Sequence, residues 1–254
     1  MKLYAVYTDG AAILKDDWFL KSLQDDWELN ILQVGATEKK YGDFSTPGFK
    51  DVVKKKTALI LDSIKDNFGD VIIWSDLDIQ FFGKCSDTIE YSIKEKDVVF
   101  QSERGGGGEV NAGFMAIRCN RKTIEFWQAV LKRVNSSEWN QPEVNDQSII
   151  NGLLRKKSGD IEYDIFPNCF WAKSHPGKPP RDILLHHANC TAPRLKKGRL
   201  TGSMELKIEQ LSEIRRLVED KKDCLRLPRR WSRFIWQHLG GKDRQRTWRK
   251  SRNY

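Results

Sequence analysis

The sequence of 254 residues lacks any long apolar run, and this absence excludes a protein with a membrane-spanning helix. A helix that spans a bilayer needs about 18 or more consecutive apolar residues. No stretch of this chain approaches that length, and the first seven residues enter a strand-like pattern without the apolar core of a signal peptide. We therefore expect a cytoplasmic protein.

The cysteine motifs of zinc sites and the glycine-rich motif of phosphate-binding P-loops are also missing. The five cysteines form no Cys-x-x-Cys pair, so neither a zinc site nor a disulfide framework is indicated, and we expect buried free thiols. Four consecutive glycines at 105–108 are not followed by the Gly-Lys-Ser/Thr of a P-loop. Any nucleotide site must therefore be built in another way.

Net charge is absent from most of the chain. Residues 226–254 hold ten of the 44 basic and one of the 35 acidic residues, so they carry the whole net charge of +9. A nucleic-acid-binding domain should have its own basic face, which the balanced remainder does not predict. The segment Arg226–Tyr254 interleaves tryptophan and phenylalanine with arginine. That composition suits either a solvated terminus or peripheral attachment to an anionic membrane surface.

Strands and helices alternate along the first 80 residues. The patterns predict strands at 2–8, at 28–34 and from 71 onward, and amphipathic helices at 11–27 and 49–68. Such alternation is typical of an α/β protein with a doubly wound parallel sheet. Ligands of these sheets bind beyond the carboxyl ends of the strands, where Thr8, Asp9, Asp76 and Asp78 follow.

The second part of the chain continues with helices and strands of both kinds. We predict helices at 87–94, after an Asn120 cap, at 143–156 and after a Ser203 cap, and strands at 97–101, 111–118, 161–166 and 183–189. We place a main domain at 1–200. Residues 201–254 then form an amphipathic helix followed by the basic, aromatic segment.

The most informative stretch is residues 71–82. A β-branched and aromatic run reads as a buried strand, and Asp76 and Asp78 follow it one residue apart. Burying a carboxylate is unfavourable unless its charge is compensated, and carboxylate oxygens suit hard divalent cations. The two aspartates therefore indicate either a metal site or a polar turn between strands.

Three other positions have a structural and a functional interpretation. Lys56 falls on the apolar side of its helix, where it either extends to solvent or contacts an anion. Asp146 lies near a helix start, which the helix dipole alone would favour. His186 and His187 point to opposite faces of the last predicted strand, so only one of them can meet a metal.

Four segments occur in a telling order: Trp74–Asp78, Asn111–Phe114, Asn145–Leu153 and His186–Asn189. They resemble, in turn, the DxD motif, the Asn-Ala/Thr-Gly segment, the Asp-Gln segment and the histidine motif of metal-dependent GT-A-fold glycosyltransferases. The similarity is to the retaining nucleotide-diphospho-sugar transferases that include bacterial galactosyltransferases and plant xylosyltransferases. It covers residues 1 to about 195. It implies a Rossmann-like, mostly parallel central sheet flanked by helices, with a helical, basic C-terminal extension.

The resemblance also implies roles for matching positions. Metal binding, by Mn²⁺ or Mg²⁺, falls to Asp76, Asp78 and, because His-Ala-Asn fits the motif better, His187. Donor binding falls to Thr8, Asp9, Lys56, Asp76, Asn111, Ala112 and Gly113. Catalytic contacts with the sugar fall to Asp146 and Gln147.

The activity so implied is transfer of a sugar from a nucleotide diphosphate, with a UDP-sugar favoured, to a glycan or other hydroxyl acceptor. Retention of configuration by a front-face reaction is the default, since no acidic residue is an obvious nucleophile. A sugar-nucleotide pyrophosphorylase or nucleotidyltransferase is the alternative, although the segment from Thr8 to Ala12 has no basic residue. A nucleic-acid-binding protein that uses the basic segment is the third hypothesis.

Overall fold

The computed structural model describes residues 1–35, 47–103, 108–141, 144–157, 160–172, 178–189, 194–196 and 199–226. The chain divides into two units, Met1–Ser212 and Glu213–Tyr254, and the sheet and cleft belong to the first. No helix in the described ranges is long and apolar enough to cross a membrane. The interpretations of the glycine run and of the basic segment concern positions that lie almost entirely outside these ranges.

Nine strands of the described chain form one sheet. They are β1 Lys2–Tyr7, β2 Glu28–Gln33, β3 Val71–Ser75, β4 Ile79–Phe81, β5 Val98–Ser102, β6 Val110–Arg118, β7 Tyr163–Ile165, β8 Phe170–Ala172 and β9 Leu185–His187. The order is β2-β1-β3-β6-β5-β8-β9-β4, and β7 also pairs with β5. The pairings β1–β2, β1–β3, β5–β7, β5–β8 and β8–β9 are parallel, whereas β6 is antiparallel to both neighbours and β4 is antiparallel to β9. The predicted α/β fold with a mostly parallel sheet is confirmed.

Helices cover both faces of this sheet. Their bounds are α1 Leu20–Ser22, α2 Pro47–Asp66, α3 Ser86–Ile93, α4 Arg121–Val134, α5 Asp146–Arg155 and α6 Ser203–Arg226. Successive strand residues point to opposite faces, so Ile72 and Trp74 join the core under α2, α4 and α5, while Ile73 joins the core under α3. The near-continuous apolar pattern of the central strands follows from this burial on both sides.

The first predicted helix is shorter than its apolar pattern suggests. In place of a helix over 11–27, the chain has a 3-10 turn at Asp9–Ala11, a π-helix at Leu14–Phe19 and then α1, which ends at Ser22. The residues that follow Ser22 have a different structural role. The Asp25 carboxylate accepts the backbone N–H groups of Cys85 and Ser86 at the start of α3, which holds this segment away from a helical path.

Other boundaries differ where a cap or a pairing decides them. Helix α5 begins at Asp146, three residues later than predicted, because the Asn145 side chain caps it through a reciprocal capping box with Ser148. Ser203 is the first residue of α6 and not its cap. The short strand β8 and the hairpin of β10 (Arg194–Lys196) and β11 (Arg199–Thr201) have no clear sequence signal.

Candidate active site

A cleft of about 280 Å³ lies at the carboxyl ends of β1 and β3. Because β6 runs antiparallel to β3, with Ser75 opposite Phe114, the start of β6 reaches the same edge of the sheet. The predicted site residues that line the cleft are Thr8, Lys56, Asp76, Asp78, Asn111, Ala112, Gly113, Asp146, Gln147 and His187. Asp9 is the exception: its side chain is exposed, and its carboxylate accepts a hydrogen bond from Gln33.

Asp76, Asp78 and His187 offer ligand atoms that all lie within 4.8 Å of one another. The pairing of β4 with β9 brings them together, since His187 lies opposite Ile79 and the N–H of Ala188 donates to the Asp78 carbonyl at 2.9 Å. The imidazole Nε2 is 3.2 Å from an Asp78 carboxylate oxygen. Two carboxylates and one imidazole form a donor set that suits Mn²⁺ or Mg²⁺.

The His187 ring rests directly on Gly113. A Cβ atom at position 113 would stand 2.1 Å from the ring Cε1 and 2.9 Å from the Asn111 side-chain oxygen, so only glycine fits. The backbone N–H of Gly113 donates to that same oxygen at 2.8 Å. The Asn-Ala-Gly segment therefore forms the surface against which the His187 ring packs.

His186 points the other way and is fully buried. Its Nδ1 is 3.2 Å from Gln80 Nε2, and its ring packs against Trp171 at 5.2 Å between centroids. Gln80 also donates to the carbonyl of Leu211 in α6 at 2.9 Å. Of the two adjacent histidines, His187 therefore faces the cleft, and His186 belongs to the contact between the sheet and α6.

Lys207 lines the cleft, although nothing in the sequence patterns singled it out. Its ammonium donates to the second Asp78 carboxylate oxygen and, at 3.0 Å, to the carbonyl of Ala188. On α6 it lies among other charged residues, so sequence reasoning could not separate it from a solvated lysine. Only the docking of α6 against β4 and β9 brings it to the site.

Lys56 links Asp76, which follows β3, to Asp146 at the start of α5. Its ammonium, almost completely buried, is 2.9 Å from an Asp76 carboxylate oxygen, 3.3 Å from an Asp146 carboxylate oxygen and 3.2 Å from the Ala112 carbonyl. It does not extend to solvent. Asp146 also lines the cleft. Its ion pair with Lys56, and not the helix dipole alone, accounts for an acidic residue at this position.

In addition to its apolar packing, helix α5 makes a pair of hydrogen bonds to the sheet through Asn151. The Asn151 amide accepts from the N–H of Val110 and donates to its carbonyl, both at 2.9 Å, as a strand neighbour would. This pairing holds the α5 N-terminus, with Asp146 and Gln147, beside the start of β6.

The carboxyl end of β5 also contacts the site, through Gln101 and Glu103. The Gln101 side-chain oxygen lies 3.1 Å from His187 Nδ1. The Glu103 carboxylate accepts from the amides of Asn111, at 2.6 Å, and Asn189, at 3.3 Å. Neither residue stood out in the sequence, because a polar residue at a strand end has many ordinary explanations.

The carboxylates differ in their electrostatics. Burial raises the pKa of Asp76, an effect that the Asp78 charge reinforces and the Lys56 charge opposes. Burial would also raise the pKa of Asp78, but the Lys207 ammonium, above all, outweighs burial and holds that pKa far below 3.8. Burial alone would lower the pKa of Lys56, but Asp76 and Asp146 raise it above 10.5, so this ammonium stays charged.

The cysteines that the structure describes take no part in this chemistry. Cys85, Cys119 and Cys169 are buried free thiols. Burial raises the pKa of all three, to about 12 in Cys119, so they are protonated at neutral pH.

An α/β sheet with two carboxylates and a histidine at its carboxyl edge matches the GT-A fold that glycosyltransferases use. The comparisons with known proteins agree. Residues 16–199 match the model of the nucleotide-diphospho-sugar transferase family, and the chain belongs to that family. It is thus a glycosyltransferase with a nucleotide-sugar donor, and the alternative of a pyrophosphorylase or nucleotidyltransferase is not favoured.

Solved structures with the same fold are distant in sequence. A glycosyltransferase involved in the glycosylation of the major capsid of PBCV-1 superposes with a TM-score of 0.57 at 11% identity, covering 84% of this chain and 100% of that one. The glycosyltransferase GlyE of Streptococcus pneumoniae TIGR4 gives 0.51 at 15% identity, covering 84% of this chain and 62% of that one. At such identities the likeness shows the fold alone. Comparison of the sequence with curated proteins gives no match.

Proposed function

We propose that this glycosyltransferase is metal-dependent, uses a UDP-sugar and transfers the sugar to a glycan or other hydroxyl acceptor with retention of configuration. The observation that carries the proposal is the convergence of Asp76, Asp78 and His187 within 4.8 Å in the cleft. Family membership supports the nucleotide-sugar donor.

The residues fit a divalent cation for a specific reason. His187 Nδ1 faces the Gln101 side-chain oxygen, so the ring proton belongs on Nδ1 and the Nε2 lone pair faces the Asp78 carboxylate. Two acceptors at 3.2 Å are favourable only if a cation or an added proton lies between them. A cation held there by Asp76, Asp78 and His187 would supply charge stabilisation for a leaving diphosphate.

Lys207 and Lys56 supply positive charge at the two ends of the site. Lys207 contacts Asp78 and is placed to bind the diphosphate beside the metal ligands. Lys56 is shared between Asp76 and Asp146, so its role is to hold these two carboxylates in register. That differs from the direct donor contact that the resemblance implies for it.

The remaining cleft residues suit the base and the sugar. Thr8 follows β1, and Val6 of β1 also lines the cleft. This side of the cleft is the proposed place for the nucleobase and ribose. Asp146 and Gln147 at the start of α5 and Asn111 near the start of β6 are the residues proposed to bind sugar hydroxyls.

The proposed stereochemical course is retention by a front-face reaction, and the residues around the proposed sugar site support it. The carboxylates among the described residues that line the cleft are Asp76, Asp78 and Asp146. Asp146 is paired with Lys56, which lowers its nucleophilicity. In the proposed reaction the leaving phosphate takes the proton of the acceptor hydroxyl, and Gln147 stabilises the sugar on its other face. Trapping of a glycosyl adduct on Asp146 would contradict this mechanism.

The test is turnover of a panel of UDP- and GDP-sugars with Mn²⁺, Mg²⁺ or EDTA, scored by release of the nucleoside diphosphate. We expect hydrolysis or transfer with at least one UDP-sugar, and loss of that activity in EDTA. Full activity in EDTA would overturn the metal dependence, whereas activity with GDP-sugars alone would overturn the donor assignment.

A further inference from the structure

The contact between the side chains of Gln101 and His187 affects the chemistry of the histidine as well as the packing. Gln101 is completely buried at the end of β5, and among the described residues its side chain contacts Phe170 and His187. The amide Nε2 donates to the carbonyl of Phe170 at 3.4 Å. This contact fixes the orientation of the amide, so the oxygen that faces His187 Nδ1 at 3.1 Å can only accept.

An accepting oxygen decides which ring nitrogen of His187 carries the proton. A neutral imidazole has one N–H, and the Gln101 oxygen requires it on Nδ1. Nε2 is then left with its lone pair directed at Asp78, 3.2 Å away. A ring turned by 180° would place Cδ2, which makes no such hydrogen bond, where Nδ1 now faces the Gln101 oxygen, so this contact favours the present orientation of the ring.

We propose that Gln101 is a positioning residue that holds His187 in the Nδ1–H tautomer and so presents Nε2 as a metal ligand. The proposal rests on the metal site of the proposed function. Removal of such an outer partner of a metal-binding histidine costs roughly 10- to 100-fold in metal affinity.

The chain contains a matched control, Gln80. It is also completely buried, also donates to a backbone carbonyl, and also meets a histidine Nδ1, that of His186. His186 faces away from the cleft. Gln80→Leu and Gln101→Leu therefore remove similar buried contacts, but only the second one touches the metal site.

The experiment measures Mn²⁺ affinity by calorimetry and by electron paramagnetic resonance, without nucleotide, at a pH where histidine is neutral. We expect a roughly 10- to 100-fold loss in Gln101→Leu and an affinity within about twofold of wild type in Gln80→Leu. Gln101→Glu keeps the acceptor and should stay within about threefold of wild type. Equal affinity in Gln101→Leu and wild type, or equal losses in both leucine variants, would overturn the proposal.

A second measurement reads the tautomer in the unsubstituted protein, whatever the variants' folding yield. In ¹⁵N-labelled protein, long-range nitrogen–proton correlation should show His187 with a protonated Nδ1 and an unprotonated Nε2. A protonated Nε2 in neutral His187 would refute the inference. Absence of Mn²⁺ binding in wild type, with the expected tautomer present, would instead refute the proposed metal site.

Discussion

Asp76 and Asp78 are separated by one residue but meet opposite environments. Asp78 is buried between Lys207 and His187, and its pKa lies far below 3.8. Asp76 is one-third exposed, shares Lys56 with Asp146, and has a raised pKa because burial outweighs that ammonium. A symmetric pattern in the sequence thus becomes an asymmetric site, in which the charged form of Asp78 is strongly favoured and the charge of Asp76 is only partly compensated.

Replacement of Asp78 should have the largest effect. Asp78→Ala removes the carboxylate that faces both His187 and Lys207, so we expect a loss of transfer activity of about 10³-fold or more, since a metal supplies several kcal/mol of stabilisation. Circular dichroism should show a retained fold. Asp62→Ala, at an exposed aspartate of α2, is the control and should keep wild-type activity. Full activity of Asp78→Ala would end the metal-site interpretation.

Lys56→Met tests the other side of the comparison. It leaves Asp76 and Asp146 facing each other without a cation, and breaking a buried ion pair typically costs about 3–5 kcal/mol of stability. We expect about a 100-fold loss in kcat/KM together with a lower urea midpoint. Lys55→Met, at the neighbouring lysine whose ammonium contacts the Gly35 carbonyl, should change neither quantity much. A Lys56→Met protein as active as wild type would show that the shared ammonium is dispensable.

Gly113→Ala perturbs the Asp78 side through its histidine. The added Cβ would stand 2.1 Å from the His187 ring, so the ring must move. We expect at least about a tenfold loss of Mn²⁺ affinity by calorimetry, because ligand orientation controls affinity. Gly152→Ala is the matched control, since its Cβ would meet only an Arg133 nitrogen at 3.7 Å. Unchanged metal affinity in Gly113→Ala would mean that the ring position does not matter.

Lys207→Met should act in two directions, each by about five- to tenfold. Without nucleotide, loss of a cation that shares Asp78 should strengthen Mn²⁺ binding, since like charges repel. With UDP present, loss of the same cation should weaken nucleotide binding. Titration calorimetry measures both, with Lys65→Met at an exposed lysine as the control. If the affinities for Mn²⁺ and for UDP both rose or both fell, the proposal that Lys207 contacts both Asp78 and the diphosphate would be contradicted.

The pH dependence of stability should show the smallest effect, but with opposite signs for the two aspartates. A lowered pKa means that Asp78 stabilises the fold above its ordinary pKa of 3.8, and that this contribution is lost as pH falls below it. A raised pKa means that ionisation of Asp76 opposes folding as pH rises above 3.8.

Urea unfolding in EDTA between about pH 3 and 7 measures this contrast. Relative to wild type, Asp78→Asn should lose more stability as pH rises through the ordinary carboxyl range, whereas Asp76→Asn should gain stability. Parallel curves for the two variants would show that their surroundings do not differ in the way described.

Many of the site residues could be predicted from the sequence, because they follow strands whose carboxyl ends share one edge of the sheet. Asp76 follows β3, Thr8 follows β1, and Asn145 caps the helix that begins at Asp146. Those are local signals. Lys207 and Gln101 carry no such signal, because their importance depends on partners that are 129 and 86 residues away along the chain.

The α/β class, the edge of the sheet at which the site lies and the two aspartates as a candidate metal site could all be predicted from the sequence, because strand burial and alternation are local properties. The motif favours His187 over His186, and the tertiary structure shows the physical reason, since the register of β4 with β9 turns His187 toward the cleft. Only the tertiary structure decided that Lys207 meets Asp78 while Lys56 meets Asp76. Long-range pairing sets the electrostatics of each carboxylate, and no spacing in the sequence encodes it.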